Sequence, residues 1–282
     1  MSKQIEVMLL GSAQDGGVPQ AGCRCASCAL ARRDPAQRRL VSSLGLIDRR
    51  ARASWIVDAT PDFSRQLDLL AARAPGCPLA GIILTHAHIG HYTGLIHLGR
   101  EVMGTAGMPL YVTAPMAAFL TANGPWSQLV TLGNVTLHPI VPGQPFNLSP
   151  DLAITPLAVP HRAEFSDTLA VLAHSQRRRI FYCPDIDRWE QLDKPLPAFL
   201  AGVDVALLDG TFYSADELPG RSMAEIPHPL VTETAALLAG SGVSAGFIHL
   251  NHSNPLLHEG PELAALTAQG HWVGREGMAW PL

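Results

Sequence analysis

Short apolar runs recur along the chain, many of them closed by glycine, proline or an acid, and each predicts a buried strand. Ile5 to Leu10 is the first. Ser42 to Ile47 and Ser54 to Val57 read as a pair across the charged turn Asp48-Arg49-Arg50. Leu79 to Leu84, Leu110 to Thr113, Val135 to His138 and Leu152 to Leu157 follow. Arg179 to Asp185 and Val203 to Leu208 come next, and Ala245 to Ile248 reads as the last strand. Helical patterns lie between them at Ala29 to Arg39 (broken by Asp34-Pro35), Pro61 to Ala72, His91 onward through Leu95 to Met103, and Leu230 to Leu238. Strands and helices alternate in two successive halves, with no repeats or linkers. This predicts an α/β fold, a four-layer αββα sandwich formed as one domain over residues 1–282.

Polar residues gather where the strands end. After Leu79–Leu84 comes Thr85-His86-Ala87-His88-Ile89-Gly90-His91, three histidines in six residues at a strand-to-helix corner. Neutral imidazole is the commonest nitrogen ligand of zinc and iron. The tract is apolar between its histidines, which a solvated loop has no reason to be. His97, nearly two turns on, is expected to pack or to face solvent. The first strand runs into Gly11-Ser12-Ala13-Gln14-Asp15-Gly16-Gly17-Val18-Pro19-Gln20. No Lys-Ser/Thr pair follows, so a phosphate loop is disfavoured, and close approach of backbone to a site is the better reading.

Cys23, Cys25 and Cys28 stand at CxCxxC spacing. Three thiolates so placed can wrap one tetrahedral structural zinc, with a fourth ligand from elsewhere. His252 is the choice for it, with His258 and His271 as alternatives. Five cysteines, three of them in this one cluster, do not form a disulfide framework and point to a reducing cytoplasm. The start, Met1-Ser2-Lys3-Gln4-Ile5, carries no signal-peptide pattern. A net charge of −4 gives no basic field for a nucleic-acid backbone, and no run approaches a membrane span. A chain that is 47% hydrophobic can bury a large core, and its twelve histidines, being clustered, favour a metal protein. The expected partner is a small molecule or short peptide, with neither nucleic acid nor membrane; a homodimer is left open.

HAHIGH (His86 to His91) resembles the HxHxDH signature of the metallo-β-lactamase superfamily, with Gly90 at the Asp position. The resemblance implies the αββα fold and a ligand set. His86, His88 and His161 would hold one ion, His91 and His249 a second, with Asp185 bridging and Asp187 its nearby competitor. Asp58 would brace the histidine loop, while Asp62 could instead cap the following helix. In the family the signature Asp ligates the second ion. Glycine cannot, so the expectation is a filled first position and a weak or absent second one. Asp209 also ends a strand at the ligand edge. With His228, an acid/base at the mouth of the site or a plain loop histidine, it completes the catalytic candidates.

Two branches are resembled more closely. One is that of the pyrroloquinoline quinone (PQQ) biosynthesis B proteins, seen in LGSAQDGGVPQAGCRCASC, DATPDFSRQL, LLDGTFYSADEL, HLNHSNPLL and GREGM. The other is that of the phosphodiesterases of phosphonate breakdown, which share the glycine-rich loop and cysteine cluster. The chain departs from the first branch at Gly90, in keeping His86 and His88, and in the tract Ala224 to His228. The first branch implies a metal-dependent oxidation of a tyrosine-derived precursor, with iron acting on dioxygen or zinc on water. The second implies hydrolysis of a small phosphodiester with zinc or manganese. A non-catalytic binding or carrier role on a decayed metal site is the third reading.

Overall fold

The computed structural model describes residues 4–217, 220 and 225–282. Leu218 of the LLDGTFYSADEL motif and Ala224 of the divergent tract lie outside them. The first half of the chain supplies β1 (Ile5–Gly11), β2 (Ser43–Asp48), β3 (Ala53–Val57), β4 (Leu79–Ile83), β5 (Met108–Val112) and β6 (Val135–Pro139), hydrogen-bonded in that order. The second half supplies β7 (Phe146–Ser149), β8 (Leu152–Ala158), β9 (Leu169–His174), β10 (Arg179–Cys183), β11 (Val205–Asp209), β12 (Ala245–Ile248) and β13 (Trp272–Val273), again neighbours in sequence order. β14 (Ala279–Pro281) returns to pair with β1, so each sheet has seven strands among the described residues.

The two sheets pack face to face. Val7, Leu9, Leu44 and Leu46 of one meet Ile154, Val171, Ile180 and Tyr182 of the other in a single cluster. These positions alternate along their strands, as a period of two requires. The outer face of the first sheet is covered by α2 (Phe63–Arg73), α4 (Ala114–Ala122) and α5 (Trp126–Thr131), through Phe63, Leu70, Met116, Leu120 and Leu129. The outer face of the second is covered by α6 (Leu196–Phe199) and α7 (Val231–Leu238), with α1 (Ala26–Arg33) and α8 (Pro261–Ala268) beside them. This is the αββα layering. No helix among the described residues is long and apolar enough to cross a membrane.

Strand direction decides where the chemistry falls. β1 and β3 both run antiparallel to β2, and β3 runs parallel to β4. β8 and β10 both run antiparallel to β9, and β10, β11 and β12 are mutually parallel. The carboxyl ends of β1, β3 and β4 therefore share one edge of the first sheet, and those of β8, β10, β11 and β12 one edge of the second. Ligand sites in α/β sheets form at such edges.

Some elements differ from the sequence reading. The helix expected to continue through Met103 is a short turn, α3 (Ile89–Tyr92), then a 3-10 segment, Thr93–Leu98. Glycines end it: the Gly104 N–H returns to the Gly99 carbonyl, with Gly104 at φ +56°. α1 stops at Arg33, because Asp34 caps a separate turn at Pro35–Gln37. Asp62 does not cap α2 with its side chain, which accepts instead from the Val41 N–H. His97 stacks on Phe63.

Candidate metal centre

Four strand ends converge on one buried cluster. β4 leads into His86, His88 and His91, β8 into His161, β10 into Asp185, and β12 into His249. Backbone pairing ties the histidine loop to the second sheet, since Leu169 N–H donates to the Thr85 carbonyl and Ala87 N–H to Ser166 Oγ. Asp58, at the end of β3, and His249, at the end of β12, hold left-handed backbone at φ 68° and 60°. Strain of this kind, about 1–3 kcal/mol per residue, persists where side-chain bonds over-determine the conformation.

His86 Nε2, His88 Nδ1 and His161 Nε2 face one another, at 3.0 Å from His86 to His88 and 3.2 Å from His161 to His88. The outer nitrogen of each is tied to an acceptor. Asp187 accepts from His161 Nδ1 (2.9 Å) and Glu164 from His88 Nε2 (3.0 Å). Thr85 Oγ1 accepts from His86 Nδ1 (2.9 Å) while donating its own proton to Asp58. Each inner nitrogen is therefore left with a free lone pair, the tautomer that a metal ligand needs. His91 Nδ1 likewise donates to Asp58 (2.8 Å) and His249 Nδ1 to Thr211 Oγ1 (2.9 Å), which turns the Nε2 of each inward, where an ion would displace any proton it carries. Asp187 thus orients His161, and Asp185 is the carboxylate at the centre. Its Oδ2 lies 3.1 Å from His91 Nε2, 3.3 Å from His249 Nε2 and 3.9 Å from His86 Nε2, and its Oδ1 3.6 Å from His161 Nε2.

The expectation that a second position lacks its own carboxylate does not hold. Asp15, from the loop after β1, sets its Oδ1 3.3 Å from His91 Nε2 and 3.6 Å from His249 Nε2. The sequence reading gave that loop no ligand. Asp15 Oδ1, His91 Nε2, Asp185 Oδ2 and His249 Nε2 are all buried, and none makes an aligned hydrogen bond although they lie within ion-pair reach. Buried polar atoms normally find aligned hydrogen-bond partners, so four without one at a single point mark a gap in the network. A cation among them satisfies all four, so the donor set fits metal.

The electrostatics agree. Burial works against the Asp185 carboxylate, yet His249 and His91 hold its pKa well below the usual range, and the Asp15 carboxyl is lowered in the same way. Burial also opposes charge on His91, but Asp58, Asp15 and Asp185 raise its pKa well above the ordinary histidine value. His86 is pushed well below that value by burial and by His91, and His161 is lowered by burial.

His228 sits beside this cluster, its ring 5.5 Å from that of His161 and 5.8 Å from that of His249. Its Nδ1 is 2.7 Å from Asp209 Oδ2. Burial lowers its pKa but Asp209 more than offsets this, and the net shift is upward. Asp209 itself does not open onto the ligand edge. It is fully buried and accepts from Ile186 N, Thr211 N, Thr211 Oγ1 and His228. It positions His228 and Thr211 rather than meeting a substrate.

Cys23, Cys25, Cys28 and His252 form a second, separate cluster, with His252 Nδ1 at 3.4 Å from Cys25 Sγ and 3.6 Å from Cys23 Sγ. The alternatives for the fourth ligand lie elsewhere: His258 bonds Ser27 Oγ and His271 accepts from Ala245 N–H. Burial pushes the Cys28 thiol up to about 12, while a backbone N–H from Cys25 lowers the pKa of Cys23.

An αββα sandwich whose sheet edges carry histidines and carboxylates, with a thiol cluster alongside, is a scaffold built to hold metal ions. Residues 55–250 match the family model of the β-lactamase superfamily domain. Coenzyme PQQ synthesis protein B of Methylobacterium radiotolerans is 30% identical, over 99% of this chain and all (100%) of its own. That of Klebsiella pneumoniae subsp. pneumoniae is 31% identical, over 97% of each. Among solved structures, zinc-bound PqqB from Methylobacterium extorquens is similar at a TM-score of 0.82 and 25% identity, covering 98% of this chain and 100% of that one. A diphosphatase of the PhnP family shares the fold at a TM-score of 0.72 and 22% identity, covering 98% and 96%. The chain belongs to the β-lactamase superfamily and, within it, to the family of coenzyme PQQ synthesis protein B.

Proposed function

We propose that this protein is a metal-dependent enzyme of PQQ biosynthesis, acting in the cytoplasm on a small, tyrosine-derived precursor. The observation that carries this reading is the joint one of full-length likeness to the PQQ synthesis proteins and a buried centre into which five histidines each turn one nitrogen. His86, His88 and His161 would hold one ion and His91 and His249 a second, with Asp185 between. When bound, zinc, iron or manganese supplies a Lewis acid and, for iron, redox chemistry toward dioxygen. The chain's own part is positioning and proton handling. Asp58, Thr85, Glu164, Asp187 and Thr211 fix the tautomers. His228, with Nδ1 held by Asp209, has Nε2 available to exchange a proton with a bound substrate. Cys23, Cys25, Cys28 and His252 would hold a structural zinc with no open position.

A second reading, hydrolysis of a small phosphodiester, is favoured by the carboxylate of Asp15, which completes the donors that a two-metal clamp requires. One experiment separates the two. Protein loaded in turn with zinc, iron or manganese is given the peptide-derived PQQ precursor and an aryl phosphodiester, with and without oxygen. Oxygen-dependent consumption of the precursor supports the first reading. Oxygen-independent cleavage of the diester alone replaces it with the second, and inactivity of every loaded form replaces it with a binding role.

A further inference from the structure

We propose that Asp15 is a ligand of the second metal position, taking over from the carboxylate that the superfamily signature places at residue 90, and that Gly90 is the concession that lets it in. The inference deepens the metal-centre reading above and rests on it. Space is the first argument. A Cβ on residue 90 would lie 2.1 Å from Asp15 Oδ1, 2.7 Å from its Cγ and 2.8 Å from its Cα. These are impossible contacts, and two of the three atoms belong to a side chain already aimed at the cluster. A carboxylate on residue 90 and the one on Asp15 cannot both be present. Gly90 lies in α3 and is not among the glycines at positive φ, so backbone freedom does not explain it.

Position is the second argument. Asp15 Oδ1 lies within ion-pair reach of the same two imidazole nitrogens, His91 Nε2 and His249 Nε2, as Asp185 Oδ2 does. All four atoms are buried and none makes an aligned hydrogen bond. Two imidazoles and two carboxylates therefore surround the position, the charge count that a signature Asp would have supplied.

Rigidity is the third. The Gln14 N–H donates to the Leu250 carbonyl, one residue beyond His249, and the Leu250 N–H donates to the Ser12 carbonyl. The Gly17 N–H closes a turn onto the Gln14 carbonyl, with Gly17 at φ +63°. Val18 and Arg39 exchange both backbone bonds just beyond. Asp15 is thus held on both flanks, by the segment that carries another ligand of the same position. The glycines of the loop serve this close approach.

The test is an exchange of the carboxylate between the two positions, read as ion count and affinity. Chelator-stripped parent protein is titrated with manganese, followed by elemental analysis after gel filtration and by the manganese spin-resonance signal. The parent should bind a second manganese at the histidine centre. Asp15→Ala and the near-isosteric Asp15→Asn should each weaken that second ion roughly tenfold or more while keeping the first. Gly90→Asp alone should gain no affinity for it, since its side chain meets Asp15. The pair Asp15→Gly with Gly90→Asp should regain what Asp15→Gly alone loses. A parent without a second ion, an Asp15→Asn protein that binds it as the parent does, or a folded Gly90→Asp protein that binds it more tightly each overturns the proposal. None of these readouts uses turnover. Loss of the second ion without the expected oxygen chemistry would refute the biosynthetic reading and leave the ligand exchange standing.

Discussion

Asp58→Asn should uncouple the two metal positions from each other. Asp58 is fully buried in left-handed backbone, which asparagine adopts readily, so the fold should survive. Its Oδ1 accepts from Thr85 N–H at 2.8 Å, and its Oδ2 accepts from His91 Nδ1 at 2.8 Å. The new amide keeps an oxygen toward the Thr85 N–H and must turn its NH2 to His91. Two donors cannot face each other, so the neutral His91 that an ion needs would carry its proton on Nε2, the nitrogen that points at Asp15 and Asp185. The lone pair for the second ion is lost, whereas the Thr85–His86 bond that orients the first position is kept, because Thr85 Oγ1 still has the remaining oxygen at 3.0 Å to donate to. Replacing a group that orients a ligand costs about 10–100-fold in metal affinity. At about 1.4 kcal/mol per factor of ten, that is roughly 1.4–2.8 kcal/mol. Titration against a competing chelator should show this loss at the second position alone. Equal weakening of both positions, or no weakening in a folded variant, would refute the tautomer argument. Asp58→Ala should do more harm, since it adds the left-handed strain and leaves the Thr85 N–H buried without its acceptor.

Cys25→Ser should release about one zinc per chain and lower the melting temperature by roughly 10 °C, because a closed structural site contributes to folding directly; unchanged zinc and stability would show that the cluster is not a zinc site. Filling the second position should release a proton near pH 7. His91, with its pKa raised well above the usual value, is charged in the metal-free protein, and the ion takes only its neutral form. Affinity there should rise about tenfold per pH unit through neutrality. The first position should respond little, since His86 and His161 have lowered pKa values and are already neutral. Calorimetry in two buffers of different ionisation heat measures the protons, and an equal release at both positions would contradict the assignment. His228→Gln should leave the metal content alone and reduce turnover of whichever substrate is accepted by about 10²–10⁴-fold; full activity would remove His228 from proton transfer.

What was legible in the sequence was local, and what was not was a coincidence in space. Each strand that was legible is a short apolar run, and residues at its carboxyl end fall on a shared edge once the directions alternate as they do. That places His86, His88, His91, His161, Asp185 and His249 together without knowledge of a single contact. The choice of Asp185 over Asp187 follows from where β10 ends. Elements that lack a period were not legible: α4 carries no polar face to set against an apolar one, and β13 is two residues long. Asp209 misled for a different reason. A strand-end acid looks the same in sequence whether it faces a cleft or, as here, is enclosed by donors from Ile186, Thr211 and His228. Asp15 and Gly90 make the sharpest case. Read alone, Gly90 is a missing ligand and implies a decayed site, while Asp15 is one polar residue in a glycine-rich loop. β1 and β4, however, end at the same edge of one sheet, so the loop after β1 can reach the turn after β4. A carboxylate absent from one strand end should therefore be sought at the neighbouring ends before the site is judged incomplete. On the proposed exchange, the missing side chain at residue 90 and the acid at residue 15 are one feature, divided between two parts of the chain.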